Sequence, residues 1–166
     1  MRKMMWSLLA VVALGMLASA AGRGASTAEE RERFVTITHK LEQAPLQESL
    51  HADRDWAYKL LNDVPDIAID VCTSGLGTFT KQKYQYANEI TYQVVFSTAA
   101  FMIEHPDKAK DVGNLHVAGV EGALKAYGSI LKSKPDAKSP ALDELLQKQQ
   151  QGKLGDYVRD ATKTCH

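Results

Sequence analysis

Between Val94 and Ile103 the only polar side chains are Ser97 and Thr98. The helix signal around them runs from Ala87 to Glu104, with Asn88 as one candidate cap and His105-Pro106-Asp107 as its end. A helix apolar on nearly every side cannot lie on a surface, because some of its faces would stay in water. It needs neighbours all around it. The chain therefore has to supply a shell of amphipathic helices, and the remaining segments are read against that demand.

Thr27 followed by Glu30 is a reciprocal capping pattern, and Phe34, Ile37 and Leu41 then fall on one face of a first helix. The mixed charges of Glu29-Glu30-Arg31-Glu32-Arg33 suit a solvated face. Pro45 ends that helix or starts the next. Leu46, Leu50, Ala57, Leu60 and Leu61 carry a second helical stretch flanked by Trp56, either one bent helix or two, with Asp53 as a candidate internal cap and Val64-Pro65 as its close. Asn114 is read as opening a helix to about Lys134, with Val117, Val120, Leu124, Tyr127 and Leu131 as its stripe and Gly119, Gly122, Ala123 and Ala126 permitting close approach. Glu121 and Lys125 stand four apart in the order that favours a surface pair. Ser139-Pro140 starts a further helix with Leu142, Leu145 and Leu146 inward, and Gly152 stops it. A last helix places Leu154, Tyr157, Val158, Ala161 and Cys165 on one face.

Residues 66–82 do not fit this scheme. Ile67, Ile69 and Val71 alternate with Ala68, Asp70 and Cys72 at a strand period, but a lone strand has no partner in a chain otherwise without strand signals. A short helix and an extended segment both remain open for 66–72, and Gly75-Leu76-Gly77 reads as an irregular connection. The expected fold is all-α: a compact bundle of six to seven helices around a central buried one, with residues 27–166 as a single domain.

The first twenty residues read as an address. Met1-Arg2-Lys3 is basic, Met4 to Leu17 is almost wholly apolar, and Ala18-Ser19-Ala20 offers the small residues of a signal-peptidase site. The apolar run is short for a membrane span, and no Cys follows it for lipidation. Export to the periplasm or the medium is expected, with 21–26 as a flexible leader and no membrane anchor after cleavage. The chain has 20 basic and 20 acidic residues, and losing Arg2 and Lys3 leaves 18 against 20. That balance gives no electrostatic reason to expect nucleic acid or an anionic membrane surface as partner. In an oxidising compartment Cys72 and Cys165, an even pair without metal spacing, read as a disulfide. It would close a loop of roughly 94 residues, for which chain entropy gives about 4–5 kcal/mol.

Residues 117–137 resemble the second helix of a tetratricopeptide unit. Ala123-Leu124-Lys125-Ala126-Tyr127 is followed by Ile130-Leu131 and a Lys134-Pro135-Asp136 exit. The preceding Ile103 to Asn114 stretch lacks the Trp, Leu-Gly and Tyr positions of that unit's first helix. The resemblance implies a helical-hairpin architecture.

Signatures of chemistry are missing. His39, His51, His105, His116 and His166 form no H-x-x-x-H pair, and His51, Asp53 and Asp55 would fan over different faces of a helix. Asp63, Asp66 and Asp70 read as surface acids, and Ser74 lacks a nucleophile-elbow context. No catalytic residue, metal site or cofactor is assigned. Lys81, Lys83, Tyr84, Tyr86 and Tyr92 are a candidate aromatic–basic interaction patch. Phe96, Phe101 and Met102 are candidate linings of a ligand pocket beside the central helix. The expectation is an exported scaffold that binds another exported protein. A carrier of a small hydrophobic ligand is the alternative, and an enzyme ranks behind both.

Overall fold

The computed structural model describes residues 23–165, so the apolar leader and its cleavage site lie outside the described residues. Within them the chain is all-helical. The α-helices are α1 (Ala28–Gln43), α2 (His51–Asp63), α3 (Ala87–Glu104), α4 (Val112–Ser133), α5 (Pro140–Gln150) and α6 (Leu154–Ala161), with 3-10 segments at Glu48–Leu50, Thr73–Lys81 and Pro106–Lys108.

The expected start signals mostly operate. Glu30 N–H donates to Thr27 Oγ1 at 3.2 Å while Thr27 N–H donates to Glu30 Oε2 at 2.9 Å, so α1 begins on a reciprocal cap. Ser139 caps α5 with Pro140 in its first turn, and Gly152 takes φ +70° at its exit. Two starts differ. The cap of α4 is Asp111, whose Oδ1 accepts from Asn114 N–H at 3.1 Å, so Asn114 sits inside the helix instead of opening it. α3 begins after Tyr86 with no side-chain cap, and Asn88 is not used. Asp53 is not a cap either; it faces Arg33 at 3.4 Å.

The expected central place of α3 falls to α4, which packs on α1, α3, α5, α6 and the Thr73–Lys81 segment, whereas α3 is covered mainly by α4 and α1. Ile90 and Val94 belong to one apolar cluster with Leu76, Phe79, Val120, Leu124, Tyr127, Leu142 and Val158. Phe96, Ala99 and Ala100 belong to a second, with Phe34, Ile37, Leu41, Ala57, Leu60 and Ile67. Burial fades toward the end of α3, where Phe101, Met102 and Ile103 are only partly covered. Along α4, Gly119 and Gly122 lie against α3 with no space to spare. A Cβ on Gly122 would sit 1.9 Å from Ser97 Oγ and 2.3 Å from Ser97 Cβ, and one on Gly119 would meet the Val94 carbonyl at 2.9 Å.

Cys72 and Cys165 are bonded, 93 residues apart in sequence. Cys165 lies beyond the end of α6 and not on its face, with its N–H on the Thr162 carbonyl at 3.1 Å. Lys125 reaches Glu42 of α1 at 3.2 Å instead of pairing with Glu121.

Two outcomes follow for stability. Cys165→Ser, or reduction of the native chain, should lower the unfolding free energy by about 4 kcal/mol through the lost constraint on the unfolded chain, read by denaturant melts. Gly122→Ala should cost about 1–3 kcal/mol, because the added methyl overlaps a packed side chain on a neighbouring helix. Gly128→Ala, which meets nothing within 4 Å, should instead be neutral or stabilising in the same melts.

Candidate functional site

Between α2 and the 3-10 segment at Thr73 the chain is neither helical nor bent from Ile67 to Cys72. The local reason is steric. Pro65 keeps Val64 out of the helical region, at φ −97° and ψ 137°, and the branched residues Ile67, Ile69 and Val71 favour extended backbone. Of the two readings left open for this stretch the short helix is not formed, and the backbone is extended at both flanks, Val64 and Cys72. Gly75-Leu76-Gly77 lies in 3-10 structure interrupted at Gly77, where φ is +58°.

Both ends of the extended stretch are tied. At one end Asp66 accepts from Ser26 N–H at 2.8 Å, from Ser26 O–H at 2.7 Å and from the Arg31 guanidinium at 2.8 Å. Ser26, expected in a flexible leader, is thus buried and held. Partial burial pushes the Asp66 carboxyl up, but the two Ser26 donors and Arg31 outweigh it and leave its pKa lowered. At the other end Cys72 is joined to Cys165. Between these anchors, no backbone N–H or C=O of Ile67 to Val71 finds a hydrogen-bond partner among the described residues.

Alongside this strap runs an open apolar groove of about 360 Å³, lined chiefly by Tyr58, Leu61, Val64, Ile69, Val71 and Val95. Tyr58 is 50% exposed and Val71 36%, which makes them, with Val112, the large apolar side chains most open to water among the described residues. A second, smaller recess of about 210 Å³ is bordered by Arg31, Asp66, Met102, Ile103 and Pro106 and shares Ile67 with the first.

The residues expected as sites are dispersed. Tyr84 and Tyr86 share an edge-to-face aromatic group with Phe79 and Tyr127, and Tyr84 O–H donates to the Ala137 carbonyl at 3.0 Å. Burial pushes the Tyr84 phenol well above its ordinary pKa. Lys81 and Lys83 are exposed beside them, but Tyr92 lies elsewhere, stacked on Phe96 and edge-on to Tyr58. The five do not make one patch. Phe96, Phe101 and Met102 likewise line no common void. Phe96 is sealed against Phe34 at 5.8 Å, and the recess beside it leaves no room for a water molecule. Phe101 packs on His105, and Met102 borders the smaller recess.

A polar cluster that the sequence reading did not single out ties α1 to α3 and α4. Glu42 is only 7% exposed. Its Oε1 accepts from Ser97 O–H at 3.1 Å, while Oε2 stands 3.2 Å from Lys125 Nζ and 3.1 Å from His39 Nδ1. Gln93 Nε2 donates to Ser97 Oγ at 2.9 Å, and His39 Nε2 faces Glu104 at 3.1 Å. Burial pulls the His39 pKa down, but Glu104 and Glu42 overcome it and leave it raised. Both oxygens of Glu42 are engaged, so the cluster works as an internal tie and presents no free base. The signal for it was present in Thr38 and Glu42, which continue the Phe34 stripe at helical spacing. His116, one of the scattered histidines, is buried on α4 with Nε2 lacking a partner among the described residues.

No group of His, Cys, Asp or Glu with metal-holding geometry occurs among the described residues, and none of their helices is long and apolar enough to cross a membrane. Comparison of the chain with protein-family models, curated proteins and solved structures yields no match in any of the three.

Asp66→Asn should loosen the strap. A carboxyl whose pKa is lowered in the fold contributes stability that is present above its unfolded pKa and lost as pH falls through the folded one. The wild type should therefore lead the variant in melting temperature at pH 7, and the gap should close below about pH 4.

Proposed function

We propose that the protein is an exported helical scaffold that binds another protein at the groove beside Ile67–Val71. One observation carries the reading: an apolar groove open to water runs along a straight stretch of backbone whose donors and acceptors are unused among the described residues. The groove lies at the rim of one apolar cluster, to which Val64, Ile67, Leu61, Ile69 and Val95 belong, and adds the exposed Tyr58 and Val71 to it. The bundle beneath is held by a disulfide and by interhelical polar ties, which suits a rigid platform that gives up little conformational entropy on association. The basic-apolar-small leader supports export, and the resemblance of residues 117–137 to a tetratricopeptide helix favours the scaffold class.

A carrier of a small hydrophobe needs an enclosed void. The recess next to Phe96 is filled, and the groove at Tyr58 opens to solvent and is not an enclosed void. An enzyme needs convergent reactive groups, and the buried Glu42 is already fully engaged. Protein binding is the reading left with a surface to act through.

Photoreactive residues placed at Tyr58 or at Val71 should capture the same discrete protein in the native exported compartment. The same residue at Gln149, exposed on α5, should not. With that partner purified, Val71→Asp should weaken binding at least tenfold, while a substitution this exposed shifts stability by no more than about 0.5 kcal/mol. Equal capture at all three positions, or full binding by the folded Val71→Asp protein, would refute the assignment.

A further inference from the structure

Resting on the groove as the binding site, we infer that the partner enters as an extended strand and pairs with the backbone of Ile67–Val71, presenting apolar residues at alternate positions and a basic residue to Asp70.

The argument starts from the backbone. An unpaired, straight run of peptide groups is what an added strand recognises in strand-addition binding, where main-chain hydrogen bonds supply affinity and alternate side chains supply specificity. Five residues at about 3.3 Å each match a short natural strand, so the strap is long enough to register a partner. Its sequence alternates branched residues, Ile67, Ile69 and Val71, with Ala68 and Asp70, the period a sheet edge uses. Ile67 is buried and Ile69 half-buried, and with Ala68 and the exposed Val71 they line the groove, while Asp70 is exposed and outside that lining. An added strand would lay its own alternate apolar side chains beside Ile69, Val71 and Tyr58, covering the residues now most open to water.

The anchors matter equally. A free loop would lose backbone entropy on pairing, roughly 1–2 kcal/mol for each residue fixed. Asp66, held by Ser26 and Arg31, and Cys72, held by Cys165, have already restricted the run between them. Charge then selects the sequence of the partner. Of the acids along this stretch Asp66 is neutralised by Arg31, and Asp63 by Lys59 and Arg23. Asp70 takes part in no ion pair among the described residues. An opposed Lys or Arg would complete a cross-strand pair, and an opposed acid would repel.

The test uses residues 21–166, unreduced and isotopically labelled, with a capped seven-residue peptide of alternating Val and Lys as probe. Backbone amide exchange is read by NMR. Binding should slow exchange at least tenfold at every second amide between Ile67 and Val71. The same peptide with its backbone nitrogens methylated, or with Asp replacing Lys, should give no protection, and Asp70→Asn should weaken the Val–Lys peptide several-fold.

Shifts of groove residues without alternate-amide protection would overturn strand pairing while leaving the groove as the site. Failure of the Val–Lys peptide at millimolar concentration, with the crosslinked partner still binding through Val71, would do the same. Failure of both would remove the groove reading with it. Protection that appears without peptide and grows with protein concentration would assign the strap to a second copy of this chain instead.

Discussion

The close seating of α4 against α3 is the contact on which the other helices depend. α3 is apolar around most of its circumference, and in water such a helix is an expense that only enclosure offsets. Gly119 and Gly122 let the α4 backbone approach until Thr98 and Ser97 fill the space a methyl group would take. With that pair set, α1 packs across both helices and carries α2 on one side, while α5, α6 and the Thr73–Lys81 segment close over α4 on the other, with Ile90 and Val94 of α3 reaching into their cluster. Phe96 and Ile90, both fully buried, mark those two halves.

The same approach creates a problem that the polar residues resolve. Ser97 and Gln93 lie inside the interface, where an unsatisfied hydroxyl or amide costs about 1–3 kcal/mol. They are satisfied by each other, by the Thr38 carbonyl and by Glu42, and Glu42 is in turn compensated by Lys125 and His39. Polar groups buried in this way add little net stability, yet they penalise any packing that leaves one unpaired. Here they fix the rotation of α1 relative to α3 and α4, which in turn places Arg31 and Ser26 where they hold Asp66.

How legible a part of this molecule is depends on whether its cause is local. The cap at Thr27, the start at Ser139-Pro140 and the span of α3 follow from neighbours within a turn or two, and they could be read directly. The start of α4 could not, since Asp111 and Asn114 are both competent caps and tertiary contacts decide between them. Cys165 reaches Cys72 although α6 ends four residues before it, because the final turn and not the helical face brings it round. The dispersal of Tyr84, Tyr86 and Tyr92 has the same origin. They are close in sequence, but the turn into α3 sends the first two to one apolar cluster and the third to the other. The period-two pattern of Ile67, Ile69 and Val71 was plain. What it lacked was a partner strand, and that absence left it ambiguous.

The absence is itself informative about the physics of this edge. Extended backbone without a ladder gives up the hydrogen bonds that stabilise strands and normally relaxes into turns or joins a helix. Here Pro65 keeps Val64 out of the helical region at one end, and the disulfide at Cys72 pins the position of the other. The branched side chains disfavour a helical return in the intervening residues. Soluble proteins ordinarily blunt such an edge with charge or cover it, because an exposed apolar edge invites unwanted association. This one carries a single unpaired carboxylate, Asp70, within an otherwise apolar run. One charge deters a like-charged or purely apolar strand while leaving a basic one welcome, so the feature that protects the edge also narrows what can occupy it.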